Sequence, residues 1–180
     1  MKIWPLQAGG NRFIPRTGPG SFWEDRGDRR HCGVDLYAPQ GAAVLAMDGG
    51  VVVRVGIMTS PRKVPYWNTT RYVVVRHGPV FVKYAELDRV DVRTGGKVAP
   101  GRKIGEVGLV LDTNRIRPDS PLYIRRLGGR NPSMLHLEFF GNKPLTSHRL
   151  YLGGNWFGEG RPGGLLDPTP FLLELKEARG

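Results

Sequence analysis

The chain is 180 residues long, within the ~100–200 residue range of one domain and long enough to bury a core. With 26 Gly, 15 Pro and 39% apolar residues, it reads as globular and rich in turns rather than disordered, a composition that favours β structure. Lys and Arg total 27 against 16 acidic residues, a formal charge of +11, so long-range attraction selects polyanionic partners: nucleic acid, anionic lipid or wall polymer. The single cysteine, Cys32, excludes an internal disulfide. No segment reaches the ~20 apolar residues of a membrane span. The opening "MKIWPLQAGG" lacks the apolar run of a secretion signal. An intracellular or phage-delivered chain fits, as does one whose signal has been removed, and the compartment stays open.

In chain order, "AAVLAMDGGVVVRV" (42–55) predicts two β-rich runs joined in a hairpin at Asp48-Gly49-Gly50. A second pair, 71–77 and 80–87, flanks Gly78-Pro79. In its second run Phe81, Lys83 and Ala85 alternate with Val82, Tyr84 and Glu86, the pattern of a half-buried strand. Residues 92–108 carry Gly95-Gly96 and Pro100-Gly101 around short apolar pieces, which suits tight turns. "SMLHLEFF" (133–140) alternates as a strand that puts Met134, His136 and Glu138 on one face and Leu135, Leu137 and Phe139 on the other. Only the tail predicts a helix, with Asp167 as cap, Pro168 at the first position, and Lys176 and Arg179 near its end.

Stretches 57–70 and 109–133 are loop excursions. Their Tyr66, Trp67, Tyr123, Arg115, Arg117, Arg125, Arg126 and Arg130 read first as solvated decoration and second as the lining of a glycan or peptide cleft. The expected whole is a mainly β, largely antiparallel fold with few short helices, one domain over residues 1–180.

Four histidines are available: His31, His77, His136 and His148. In "HCGVD", His31 and Asp35 are both of a type that binds zinc. A straight strand would hold them roughly 13 Å apart, whereas two ligands of one zinc lie within about 4 Å. The chain must therefore bend between them, and Gly33 gives it the freedom. The pair alone is a weak signal and needs a third ligand, for which His136 is the candidate; a core histidine bonded to a neighbour is the plainer reading. Three protein ligands with an open fourth position form a catalytic zinc site suited to amide hydrolysis. Glu138, on the His136 face, either orients a ligand or forms an ordinary salt bridge. His77 reads as structural at its turn, His148 as a surface residue, and Cys32 as a small buried thiol.

These residues stand in ordered motifs. "RRHCGVDLYAPQGAAVLAMDGGVVVRVG", "KYAEL", "VRTGGKVAPGRKIGEVG", "SMLHLEFF" and "LLDPTPFL" together resemble the lysostaphin-type, or LytM, zinc endopeptidases that cut peptide bridges in peptidoglycan. The likeness covers roughly residues 14–173, with core motifs over 31–140. It implies the duplicated-hybrid-motif type of fold, an antiparallel sheet forming a groove with a Zn2+ site at its floor, held by His31, Asp35 and His136. It also implies two assisting histidines, in the family's Y-A-H-L and H-L-H motifs, and here the chain departs. Glu86 and Met134 occupy those places. A thioether donates no hydrogen bond to an oxyanion, whereas Glu86 has the chemistry of a substitute general base, and reads equally as an anchor for a substrate amine or as a solvated edge residue.

The expectation is a zinc-binding domain directed at peptidoglycan or another anionic wall polymer, with lost or reduced catalysis and a binding or regulatory role. A cell-wall hydrolase is then a further candidate partner. The alternative is an active endopeptidase using Glu86. Nucleic-acid binding has only the net charge behind it.

Overall fold

The structure, a computed structural model, describes residues 1–7, 12–125 and 133–177. Its strands are β1 (Arg30–His31), β2 (Val34–Tyr37), β3 (Ala43–Leu45), β4 (Gly50–Thr59), β5 (Thr70–His77), β6 (Val80–Val90), β7 (Lys97–Val98), β8 (Lys103–Val107), β9 (Met134–Phe140), β10 (Tyr151–Leu152), β11 (Asn155–Trp156) and β12 (Leu165–Leu166). The helices are α1 (Leu122–Arg125) and α2 (Thr169–Glu177). Nine strands make one sheet in the order β12-β9-β6-β5-β4-β7, with β2 beside β9, and β8 bridging β6 and β3. A smaller sheet has the order β1-β11-β10. All these pairings are antiparallel, as the sequence predicts, and β5 and β6 form the expected hairpin with His77 opposite Val80.

The expected hairpin at Asp48-Gly49-Gly50 does not form. The chain turns there, but β3 pairs with β8 and β4 pairs with β5 and β7. Val44, Ala46 and Met47 are fully buried, so this run is core rather than one face of a ribbon. His77 holds the corner from outside it: its Nδ1 lies 3.1 Å from the Gly49 carbonyl and its Nε2 2.9 Å from the Tyr84 hydroxyl.

The central strand β9 decides where chemistry can sit. Leu135, Leu137 and Phe139 enter the main core with Val73, Val75, Val82 and Tyr84. Leu172 and Leu175 of α2 close that layer. The Thr169 N–H donates to Asp167 Oδ1 at 2.8 Å, the expected cap. Arg179 lies outside the described residues.

The opposite face carries His136, Glu138 and, from β6, Lys83 and Ala85, in the register Ala85 to His136 and Lys83 to Glu138. This face is not open to water. Lys83 and Glu138 are fully buried because the segment after β9 folds back over it, so the half-buried reading of residues 80–87 is corrected.

The excursions are also narrower than expected. Strands β4 and β5 extend to Thr59 and Thr70, whose hydroxyls meet at 2.7 Å, leaving 60–69 as the loop. Trp67 is buried with Leu111 and Ile124 in a satellite core, so the two excursions pack on each other rather than decorate the surface. Arg126 and Arg130 lie outside the described residues, as does the Tyr123 side chain. No helix among the described residues is long and apolar enough to cross a membrane.

Candidate metal centre

His31 ends β1 and Asp35 lies in β2, with the bend at Cys32-Gly33 between them. Gly33 serves this bend differently than expected. Its φ is not in the left-handed region; instead a Cβ there would collide with the Leu137 carbonyl oxygen and lie 2.9 Å from His136 Cε1. The missing side chain allows β2 to approach β9, and Asp35 then pairs directly with His136.

Three donor atoms converge. His31 Nε2 lies 3.0 Å from His136 Nδ1 and 3.1 Å from Asp35 Oδ1, and His136 Nδ1 lies 2.8 Å from Asp35 Oδ1. Donors placed tetrahedrally at ~2.0–2.1 Å from a zinc ion are about 3.3 Å apart, so this triangle fits with a small expansion. Each imidazole has its outer nitrogen engaged: His31 Nδ1 donates to the Ser21 carbonyl at 2.8 Å and His136 Nε2 to Glu138 Oε1 at 2.9 Å. Those bonds occupy the outer nitrogens and leave His31 Nε2 and His136 Nδ1 facing inward, the orientation of metal-binding histidines, which give up the inner proton when a metal binds. Among the described residues this is the group of three that metal-ligand geometry selects.

The electrostatics also favour a cation. Although burial opposes its charge, His136 is pushed up to about 10 by hydrogen bonds to Asp35 and Glu138. Burial opposes the ionisation of Asp35 too, yet His31 and His136 hold it well below the usual carboxylate range. Burial lowers His31.

Glu86 feels the charges of Asp35 and His136. It bulges out of the β5–β6 ladder between Arg71 paired with Leu87 and Tyr72 paired with Ala85. Its φ of 64° lies in the left-handed region, and its side chain is 8% exposed. Its Oε2 is buried without a hydrogen-bond partner. Burial, followed by the charge of Asp35, pushes its carboxyl up to about 8. Met134, the other replacement, is half-buried at the start of β9.

Glu138 contacts both His136 and Lys83. One oxygen accepts from His136, while the other lies 3.2 Å from Lys83 Nζ. The Tyr151 hydroxyl also donates to Glu138 and meets Lys83.

Neither Lys83 nor Tyr151 is marked as a site residue by the sequence motifs. The available signal was Lys83 sharing strand parity with Ala85, next to the predicted ligand strand. Arg26 lies 3.0 Å from Glu24 and Asn155 and 3.5 Å from Asp35 Oδ2, and nothing in its local sequence announces this. Cys32 is fully buried and burial pushes its thiol up. His148 is exposed and lies against Trp156 at 5.1 Å between ring centroids.

Among solved structures, the chain is similar to the catalytic domain of the antimicrobial peptidase lysostaphin from Staphylococcus simulans (19% identity over 87% of this chain and 90% of that one, TM-score 0.53). It is also similar to the catalytic domain, solved as a point mutant, of the prophage-encoded M23 protein EnpA from Enterococcus faecalis (17% identity, 93% and 94%, TM-score 0.50). A third similar structure is CbpA from L. salivarius REN (20% identity, 93% and 91%, TM-score 0.55). At these identities the likeness speaks for the fold. No curated protein sequence matches the chain. The pattern of Peptidase family M23 matches residues 29–142, a span that contains His31, Asp35, Glu86, His136 and Glu138, and the chain belongs to that family.

Proposed function

We propose that the chain is a zinc-binding domain directed at the peptidoglycan of bacterial cell walls, with catalysis lost or sharply reduced. The observation that carries the zinc reading is the inward convergence of His31 Nε2, Asp35 Oδ1 and His136 Nδ1 with both outer imidazole nitrogens engaged. These three residues would hold the ion. The chemistry zinc supplies to a peptidase is Lewis-acid polarisation of the scissile carbonyl. The main core cluster runs from Trp4 to Leu175, which supports residues 1–180 as one domain.

Two features support weak turnover. Met134 stands where the family places an assisting histidine and has no proton to donate, so stabilisation on the order of 3–4 kcal/mol is absent from the transition state. The three donor side chains are also nearly closed off, His31 and His136 at 1% and Asp35 at 5% exposure, whereas a catalytic zinc keeps an open position. The role that remains is binding of wall polymer, aided by the +11 charge, or regulation of a wall hydrolase.

A specific observation favours a second reading. The Glu86 carboxyl is buried, its Oε2 has no hydrogen-bond partner, and burial and the charge of Asp35 push it up to about 8, near the working pH where a group can exchange protons as a general acid or base.

Elemental analysis of wild type and His136→Ala, followed by digestion of purified peptidoglycan, tests both. About one zinc per chain, lost in the variant, with little release of peptide, is the expected result. Turnover typical of zinc peptidases and abolished by a chelator would overturn the first reading. Loss of that turnover in Glu86→Gln at unchanged zinc content would establish the second.

A further inference from the structure

Beside the metal centre, a cavity of about 430 Å3 opens between the end of β4 and the segment that leads into β10. Its inner wall includes Lys83 and Tyr151, which touch Glu138 and through it the outer nitrogen of His136. Lys83 cannot take a ligand itself, because its three N–H groups are committed to Glu138, Tyr151 and the Leu145 carbonyl. The outer wall is different. Lys63 and Arg149 both line it and both are exposed. Neither forms an ion pair among the described residues, and the lining contains no aspartate or glutamate. Met58 and Ile57 add an apolar side, with Ile57 51% exposed.

We propose that this cavity binds the carboxylate of a short peptide, with Lys63 and Arg149 as its counter-charges and the apolar wall against its backbone and side chains. The inference rests on the wall-directed reading above and names the substrate feature recognised: an uncapped peptide acid. A guanidinium matches the planar, bidentate geometry of a carboxylate. The cavity has room for a few residues and an apolar wall to receive them, features that a bare phosphodiester chain would leave unused. Because Lys83 and Tyr151 line the cavity and also touch Glu138, the anion site and the metal centre share one wall.

The test is a titration of the full chain, followed by backbone NMR, with acetyl-Gly-Gly-Ala as the free acid, the same peptide as its amide, and glycerol phosphate. The acid is expected to bind about tenfold more tightly than the amide, the contribution of a charged hydrogen bond, with shifts centred on Lys63, Arg149 and Gly153. Lys63→Gln/Arg149→Gln, two exposed changes that leave the core alone, should erase that preference while zinc content stays at the wild-type level.

Equal binding of acid and amide, an unchanged preference in the double variant, or preference for glycerol phosphate would each overturn the proposal. Repeating the titration with His31→Ala separates the two readings. An acid preference that persists when zinc is lost supports the cavity as a binding site in its own right, whereas full zinc occupancy without any acid preference removes the cavity proposal alone.

Discussion

Lys83 and Glu138 face each other across β6 and β9, both fully buried, with Nζ 3.2 Å from Oε2. Burial alone would discharge the lysine and protonate the carboxylate; their mutual attraction is what keeps Glu138 below the usual carboxylate range, with help from His136 and Tyr151. Removing one partner strands the other. Lys83→Met should therefore destabilise the fold by about 3–5 kcal/mol in a denaturant titration. Tyr151→Phe removes one hydroxyl and leaves the ion pair, so it should cost the fold far less, yet weaken zinc binding about 10-fold or more by loosening the support of His136. Wild-type zinc affinity in Tyr151→Phe would show that this hydroxyl does not position the ligand.

Gly33→Ala tests the close approach of β2 to β9. The added methyl group would collide with the Leu137 carbonyl oxygen, a backbone atom that cannot rotate away. A loss of at least about 2 kcal/mol in stability is expected, together with zinc content below one per chain, because Asp35 and His136 are register partners across that pairing. Thermal melting and elemental analysis of the same sample give both numbers.

Part of the candidate site is legible through strand parity: once β9 is a strand, His136 and Glu138 must share a face and Leu137 must oppose them, while joining His31 and Asp35 to His136 rests on residue type and the family resemblance. Parity says nothing about what covers a face. That is why Lys83 read as a half-buried strand residue, whereas the segment through Tyr151 and Gly154 encloses it. The turn at Asp48-Gly49 was legible for the same local reason, but its strand partners were not. Pairing of β3 with β8 depends on residues about 60 positions away, and no local signal encodes it. Gly154 shows the limit most directly: at φ 78°, it passes so close to His136 that a Cβ would lie 2.7 Å from Nε2, a contact between segments that only the folded chain brings together.

His77 links three segments through a neutral ring. Met47 N–H donates to the Tyr84 oxygen at 2.9 Å, the Tyr84 hydroxyl then donates to Nε2, and Nδ1–H donates to the Gly49 carbonyl. Burial lowers the folded pKa of His77 below its ordinary value, which is about 6.5. A depressed folded pKa means that the unfolded chain takes up the proton first, so this contribution is present above about pH 6.5 and is lost as pH falls through the folded pKa. His77→Phe should be less stable than wild type at pH 8, and the gap should narrow as pH falls from 7 to 5. A gap that widens with acid would show that the ring is charged in the folded state.

Glu86 combines strain and an unmet polar group. A non-glycine residue at φ 64° costs roughly 1–2 kcal/mol, and its buried Oε2 has no partner. Such outliers persist where the surrounding structure holds them, and they cluster at functional sites. Glu86→Gly relieves both costs at the expense of some unfolded-state entropy, so it should raise stability by roughly 1 kcal/mol in a denaturant titration. Any peptidoglycan hydrolysis the wild type shows should disappear in the same variant. The complementary change, Glu86→His with Met134→His, restores the two assisting groups that the family resemblance implies. If the triad holds zinc and catalysis has been lost through these two positions, the double variant should hydrolyse peptidoglycan faster than wild type, by about 100-fold or more. If it gains nothing while retaining one zinc per chain, the barrier to turnover is the closed approach to His31, Asp35 and His136 rather than the missing donors.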